Sequence, residues 1–190
     1  MIERIPLLLA HSLAEGAHLD GLEPLAADAV PEPYRSLLVH ERDMTSALEA
    51  FTRGRILLRQ IASQRIGNIL ARTVLLVRDD AEQQPVEFGA IRIHLGAFSE
   101  AIQQEILDGK EPLGGILNRA GFAHRSQPSG WFRVQADGFV ARHLGLAQPA
   151  LLYGRHNILL GAHDNVRLAE VVEVLPPLDE PAFDTPVIGT

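Results

Sequence analysis

The chain has 190 residues, of which 46% are apolar and 22% charged, and it contains no cysteine. These proportions predict one globular domain and exclude a disulfide framework, a thiolate nucleophile and a cysteine-based metal site. The formal net charge is −7. This balance argues against a nucleic-acid or anionic-membrane surface, because such surfaces need clustered Lys and Arg.

The two ends are predicted to lie outside the packed domain. Residues 1–36 form an arm interrupted by prolines, and residues 177–190 continue a proline-rich tail. Near the start, the apolar run from Ile5 to Ala10 is too short for a membrane span or a secretory signal. We therefore expect a soluble cytoplasmic protein whose domain covers residues 37–176.

Helical spacing and strand alternation predict an alternating series of elements within this domain. Residues 44–52 fit a helix capped by Asp43, and Gly109 and Gly121 end two later helices. The strands are predicted at 55–65, 69–78, 86–95, 131–135, 151–161 and 166–175. The short polar links favour antiparallel neighbours. The predicted class is α+β, with a single antiparallel sheet of about six strands and helices on one face.

Arg72 is the most unusual residue of the predicted strands. Alternation places it on the same face as Leu70, Val74 and Leu76, although arginine is seldom buried without a partner. One interpretation is an arginine paired with a core carboxylate or lying on an exposed edge. The other is a guanidinium that grips a ligand carboxylate through two hydrogen bonds.

The last predicted strand carries two glutamates that alternate with aliphatic residues. Glu170 shares a face with Leu168 and Val172, and Glu173 shares the other with Val171. Whichever face is inside, one carboxyl group lies among apolar side chains, where burial would make it a proton donor or a ligand for a hydroxyl group. A salt bridge to Arg72 or Arg155 is the competing interpretation.

Two helix starts are candidate anion sites, because the first turn of a helix leaves backbone N–H groups free. One is Asp43-Met44-Thr45, and the other is Pro112-Leu113-Gly114. Glycine is unfavourable inside a helix, so Gly114 indicates that another group approaches the helix backbone closely at this position. A tight helix–sheet contact would explain that glycine equally well.

Common site motifs do not occur in the sequence. It has no GxGxxG, no GxxxxGK[ST] and no GxSxG, and no two of its eight histidines form an HxxxH pair. A site without a metal or an organic cofactor is therefore expected.

Four short motifs, taken in order, resemble the chorismate pyruvate-lyase family. They are LLVHERDMTSALE at 37–49, ILARTVLLV at 69–77, EPLGGIL at 111–117 and YGRHNILLGAHDNVRLAEVVEVLP at 153–176. The resemblance implies the chorismate lyase/UTRA-like fold. It also implies a cofactor-independent carbon–oxygen lyase that converts chorismate to 4-hydroxybenzoate and pyruvate.

The resemblance also implies which residues contact the substrate. These are Arg72, the backbone at Met44 and at Leu113-Gly114, and the closing glutamate. An ungapped count from Gly154 selects Glu170 for that role, whereas the Glu-Val-Leu-Pro ending selects Glu173.

Arg155 would hold the second carboxylate of the substrate or form a surface salt bridge. The chain lacks the family's Gly-x-Pro turn before the last strand, and its loop over 121–150 is longer than in compact members.

Three alternatives to this activity stay open at this stage. The same fold serves as the UTRA ligand-sensing domain of bacterial transcription regulators, which binds a small molecule without converting it. A second alternative is a related lyase that gives a different hydroxybenzoate. In the third, Arg72 and the closing glutamate pair only with each other in a structural domain.

Overall fold

The computed structural model describes residues 22–178, in which seven strands form one antiparallel sheet in the order β1-β5-β6-β7-β4-β3-β2. The strands are β1 Glu23–Leu25, β2 Ile56–Ile66, β3 Ile69–Arg78, β4 Pro85–His94, β5 His124–Gln135, β6 Leu151–Gly161 and β7 Arg167–Leu175. The predicted α+β class with a single antiparallel sheet is confirmed. The central strands β4 and β7 are neighbours although they are far apart in sequence.

Five α-helices accompany the sheet within the described residues. They are α1 Tyr34–Leu38, α2 Met44–Thr52, α3 Glu100–Asp108, α4 Leu113–Arg119 and α5 Gly138–His143. As predicted, Asp43 caps α2 by accepting a hydrogen bond from the N–H of Ser46 at 2.8 Å. Gly109 ends α3 with a φ of 66°, a left-handed conformation that favours glycine. No helix of residues 22–178 has both the length and the apolar character of a membrane span.

The segment 121–150 is more regular than the sequence predicted. Strand β5 begins at His124, seven residues before the expected start, and α5 follows it. A register shift between Pro128 and Gly130 breaks the alternation, so the sequence pattern showed only the second half of the strand. The segment is therefore largely a strand and a short helix, not a long loop.

The ends of the chain are only partly covered by the structure. Strand β1 belongs to the predicted arm and pairs with β5, with Leu25 opposite Trp131. The apolar run Ile5 to Ala10 and residues 179–190 of the tail lie outside the described residues.

The two faces of the sheet are covered by different helices. Residues from α1 to α4 share apolar clusters with Leu70 and Leu76 on one face. The six-residue α5 packs on the other face, where Val140 joins the cluster that contains Phe88 and Val174. Because β3, β4 and β7 are apolar on both faces, alternation alone gives no indication of which face a helix covers.

Candidate functional site

A cavity of about 90 Å³ lies between the centre of the sheet and the N-terminal ends of α2 and α4. Its walls come from six strands and two helix starts. They are formed by Asp43, Met44, Thr45, Leu58, Arg72, Val74, Leu76, Glu87, Gly89, Ile91, Pro112, Leu113, Gly114, Ser126, Asn157, Leu159, Val171 and Glu173. Most of these residues are apolar, and the charged side chains are one arginine and three acids. Such a composition is typical of a small-molecule site, in which a few polar groups orient the ligand.

Strand register explains how the charged side chains reach one place. Arg72 on β3 is opposite Ile91 on β4, and Gly89 on β4 is opposite Glu173 on β7. Directly opposed residues share a face of the sheet, and these four all line the cavity. Gly89 at the centre has no side chain to fill the space between the charged groups.

Arg72 is a buried cation without an acidic partner. Its side chain is only 3% exposed, and its Nη1 donates to the carbonyl of Ile106 in α3 at 3.1 Å. Its Nε has no hydrogen-bond partner, and no carboxylate of residues 22–178 lies within 4 Å of the guanidinium. Burial lowers the pKa of Arg72 to about 10, so the side chain is still charged at neutral pH.

The structure distinguishes between the two candidate glutamates of β7. Glu173 lines the cavity, whereas Glu170 lies on the opposite face of the strand. There Glu170 pairs with Arg167, and its Oε2 lies 3.8 Å from Nη1 of Arg92. The geometry therefore brings Glu173, and not Glu170, to the cavity that contains Arg72.

Arg155 is fully buried and its guanidinium is already occupied by protein groups. Its Nε donates to Glu173, and its Nη1 donates to the carbonyls of Leu38 at 3.4 Å and His40 at 3.1 Å. Its Nη2 donates to the carbonyl of Arg42 at 3.4 Å. The salt bridge of the closing glutamate to Arg155, the competing interpretation from the sequence, is therefore present, but it is buried and not at the surface, and Arg155 does not line the cavity. Because Arg155 lies directly opposite Glu173 in the sheet, the glutamate occupies the place that a ligand carboxylate was expected to take.

The two helix starts lie against each other at the rim of the cavity. Met44 and Leu113 are both buried there. A Cβ added at Gly114 would lie 3.4 Å from Cβ of Asp43, so the glycine allows the start of α4 to approach the start of α2. An adjoining cleft of about 320 Å³ shares Asp43 and Pro112 with the cavity.

Glu87 is a cavity residue that the sequence analysis missed. It is 3% exposed on β4, and its Oε2 has no hydrogen-bond partner among residues 22–178. Burial raises its pKa well above the ordinary value, and the negative charge of Glu173 raises it further, while Arg155 acts in the opposite direction. Alternation could have found it, because Glu87 shares a face with Gly89 and Ile91 just as Arg72 does with its apolar neighbours.

A hydrogen-bonded polar pair completes the wall on the β5–β6 side. The amide of Asn157 donates to Oγ of Ser126 at 2.8 Å, and both residues are buried. No cluster of three His, Asp or Glu side chains suited to a metal ion occurs within residues 22–178.

Comparison with known proteins identifies the fold but no family. No family model matches the sequence, and no curated protein matches it. Solved structures do match. PhnF from Mycobacterium smegmatis superposes with a TM-score of 0.56 at 13% identity, covering 72% of this chain and 64% of PhnF. The effector domain of PhnF gives a TM-score of 0.55 at 14% identity, covering 80% of this chain and 91% of that domain.

A gene product of Staphylococcus aureus has the same architecture, with a TM-score of 0.51 at 8% identity over 64% of this chain and 83% of that one. At such low identities these matches show a shared fold and nothing finer. The chain thus has the UTRA-like fold that the sequence resemblance implied.

Proposed function

We propose that this protein binds a small organic acid in the cavity, with a ligand carboxylate on the guanidinium of Arg72. The observation that carries the proposal is a buried cation that faces a cavity and has no acidic partner among the described residues. A buried, unpaired charge is costly. An anionic ligand would offset that cost by forming a charge-assisted pair with Arg72.

The other cavity groups suit an acid that also carries a hydroxyl group and a flat ring. Glu173, as a carboxylate paired with Arg155, accepts a hydrogen bond from a ligand hydroxyl. Val74 and Ile91 provide apolar surface for a ring. Backbone amides near Met44 and Leu113 add positive potential at the rim.

Chorismate meets these requirements, since it combines two carboxylates, a ring hydroxyl and an apolar ring. We propose that the bound acid is chorismate and that the reaction releases pyruvate and 4-hydroxybenzoate, as the sequence resemblance implies. The cavity would fix both carboxylates and exclude water while the ether carbon–oxygen bond breaks and the ring becomes aromatic. The gain of aromaticity drives this reaction.

A second candidate is a sensor that binds the acid without converting it. The shared architecture with the effector domain of PhnF favours it. Both candidates place the ligand carboxylate on Arg72, and they differ only in what happens after binding.

The test is to incubate the purified protein with chorismate and to follow pyruvate and the absorbance of the aromatic acid. Turnover that is lost in Arg72→Met and kept in Arg59→Met, which alters an exposed arginine of β2, would support the lyase. Binding without turnover would favour the sensor. Neither binding nor turnover, in a protein that unfolds cooperatively, would contradict the proposal.

A further inference from the structure

Glu87 is a buried acid, and no hydrogen bond to Oε2 or ion pair among the described residues explains why it is buried. Glu87 lines the cavity, and within the part of the chain that the structure describes its Oε2 is excluded from solvent and has no hydrogen bond. Among the described residues it forms no ion pair within 4 Å, whereas Glu173 is paired with Arg155. An ionised carboxylate in such a place would carry the full cost of lost hydration.

Two carboxyl groups therefore lie near each other around Gly89. Glu173 is opposite Gly89 in the sheet, and Glu87 precedes Gly89 by two residues on the same face. Oε1 of Glu87 would lie only 2.9 Å from a Cβ added at position 89, so its carboxyl group folds over the glycine. A side chain at position 89 would displace this carboxyl group from the cavity.

Two neighbouring carboxylates repel each other, and this repulsion is removed when one of them is protonated. The proton belongs on Glu87, because the guanidinium of Arg155 already stabilises Glu173 as a carboxylate. Burial and the charge of Glu173 both raise the pKa of Glu87, which agrees with this assignment. The charged groups that face it are Arg72 on β3, Glu173 on β7, Arg155 on β6 and Asp43 at the start of α2.

We propose that Glu87 holds a proton in the resting protein and donates a hydrogen bond from it to an oxygen of the ligand that Arg72 binds. Around Gly89 the cavity then presents a cation in Arg72, a carboxylate acceptor in Glu173 and a neutral donor in Glu87. This set selects an acid that carries a hydroxyl group and a second oxygen acceptor. The inference rests on the proposed binding of an organic acid and assigns a binding role to a residue that the sequence resemblance does not include.

The protonation state is tested first, without any ligand. Infrared difference spectra between the wild-type protein and Glu87→Gln at pH 7 should show the C=O stretch of a protonated carboxylic acid. The exposed Glu82→Gln should show only the loss of a carboxylate band. A carboxylate band alone in the Glu87 difference spectrum would overturn the proposal.

The hydrogen bond is tested next by calorimetric titration with chorismate and, separately, with 4-hydroxybenzoate. Glu87→Leu should weaken binding by about tenfold, because it removes one hydrogen bond to a charged or polar oxygen. The affinity of the wild type should weaken at high pH, where Glu87 loses its proton. Glu87→Gln, which retains a donor that does not titrate, should bind within a few-fold of the wild type and should not show this weakening. Thermal unfolding of both variants checks that they are folded.

The outcomes separate this inference from the proposed function. If the wild type binds an acid and Glu87→Leu binds it equally well, Glu87 is not a donor and only the inference fails. If affinity falls with pH equally in the wild type and Glu87→Gln, another group titrates and the inference again fails. If the wild type binds neither acid, the proposed function fails, and donation to a ligand fails with it.

Discussion

Two arginines on the same face of the sheet are both buried but have different hydrogen-bond partners. Arg155 donates to a carboxylate and to three backbone carbonyls of residues 38–42. Arg72 lies beside a cavity and donates to one carbonyl, and its Nε has no partner in the described part of the chain. Burial alone therefore does not distinguish an arginine whose hydrogen-bonding groups are used by the protein from one that keeps a group available, whereas the number of partners does.

Strand register is the cause of this difference. Arg155 on β6 is opposite Glu173 on β7, so the pairing of these strands places an acid beside it. Arg72 on β3 is opposite Ile91 on β4 and Ser63 on β2, and neither neighbour carries a charge. The comparison leads to the following predictions.

Arg155→Met should have the largest effect on folding. It leaves Glu173 buried without its cation and removes the hydrogen bonds that Arg155 donates to the carbonyls of Leu38, His40 and Arg42. Removing one partner of a buried pair costs about 3–5 kcal/mol. Urea unfolding monitored by circular dichroism measures this loss, and a loss below about 1 kcal/mol would show that Arg155 is not the structural cation of the pair.

Glu87→Gln should change how stability depends on pH. The pKa of Glu87 is raised in the folded protein, so the wild type loses stability as pH rises from the ordinary pKa of about 4.3 toward the raised folded value. Gln does not titrate. The free energy of unfolding of the variant should therefore rise relative to that of the wild type across this window, by at most about 1.4 kcal/mol per pH unit. Above the window the difference should stay constant.

Urea unfolding between pH 4 and pH 9 measures this difference, with Glu82→Gln as the exposed control. A difference between variant and wild type that is constant with pH would show that the pKa of Glu87 is not raised in the folded protein.

The double variant Arg155→Met, Glu173→Leu should restore most of the stability that Arg155→Met loses. Replacing a complete buried ion pair by apolar side chains is often close to neutral, so its free energy of unfolding should return to within about 2 kcal/mol of the wild type. A double-mutant cycle in urea gives this value. If the double variant is as unstable as Arg155→Met, the loss of stability comes from the missing hydrogen bonds to residues 38–42 and not from the unpaired Glu173.

Arg72→Met should have the smallest effect on folding. It removes a single hydrogen bond, to Ile106, and also removes the cost of a buried charge without an acidic partner. The free energy of unfolding should stay within about 1 kcal/mol of the wild type or rise. A loss of several kcal/mol in the same urea experiment would show that Arg72 is structural, like Arg155.

Much of the fold could be predicted because its elements follow simple periodicities. Helix α2 was predicted with its bounds and its Asp43 cap, and β3 was predicted from alternation. The first half of β5 was missed because the irregularity near Pro128 interrupts the pattern. The short α5 was missed as well, since its six residues give little periodicity.

The candidate site was predictable only in part. Arg72 could be singled out by alternation, because a charge among aliphatic residues is unusual. The choice between Glu170 and Glu173 depends on which face of β7 is turned to the cavity, and both faces are apolar. The pairing of Arg155 with the closing glutamate could be named as an alternative from the sequence. Its backbone partners at His40 and Arg42 lie more than 100 residues away, so no local pattern could indicate them.

The structure of the protein with 4-hydroxybenzoate bound is the most direct test of the role of Arg72. The account predicts that the ligand carboxylate lies within hydrogen-bond distance of the Arg72 guanidinium, with the contacts of Arg155 to Glu173 and to residues 38–42 unchanged. A carboxylate bound to Arg155 in place of Glu173, or bound outside the cavity with Arg72 unoccupied, would contradict the account.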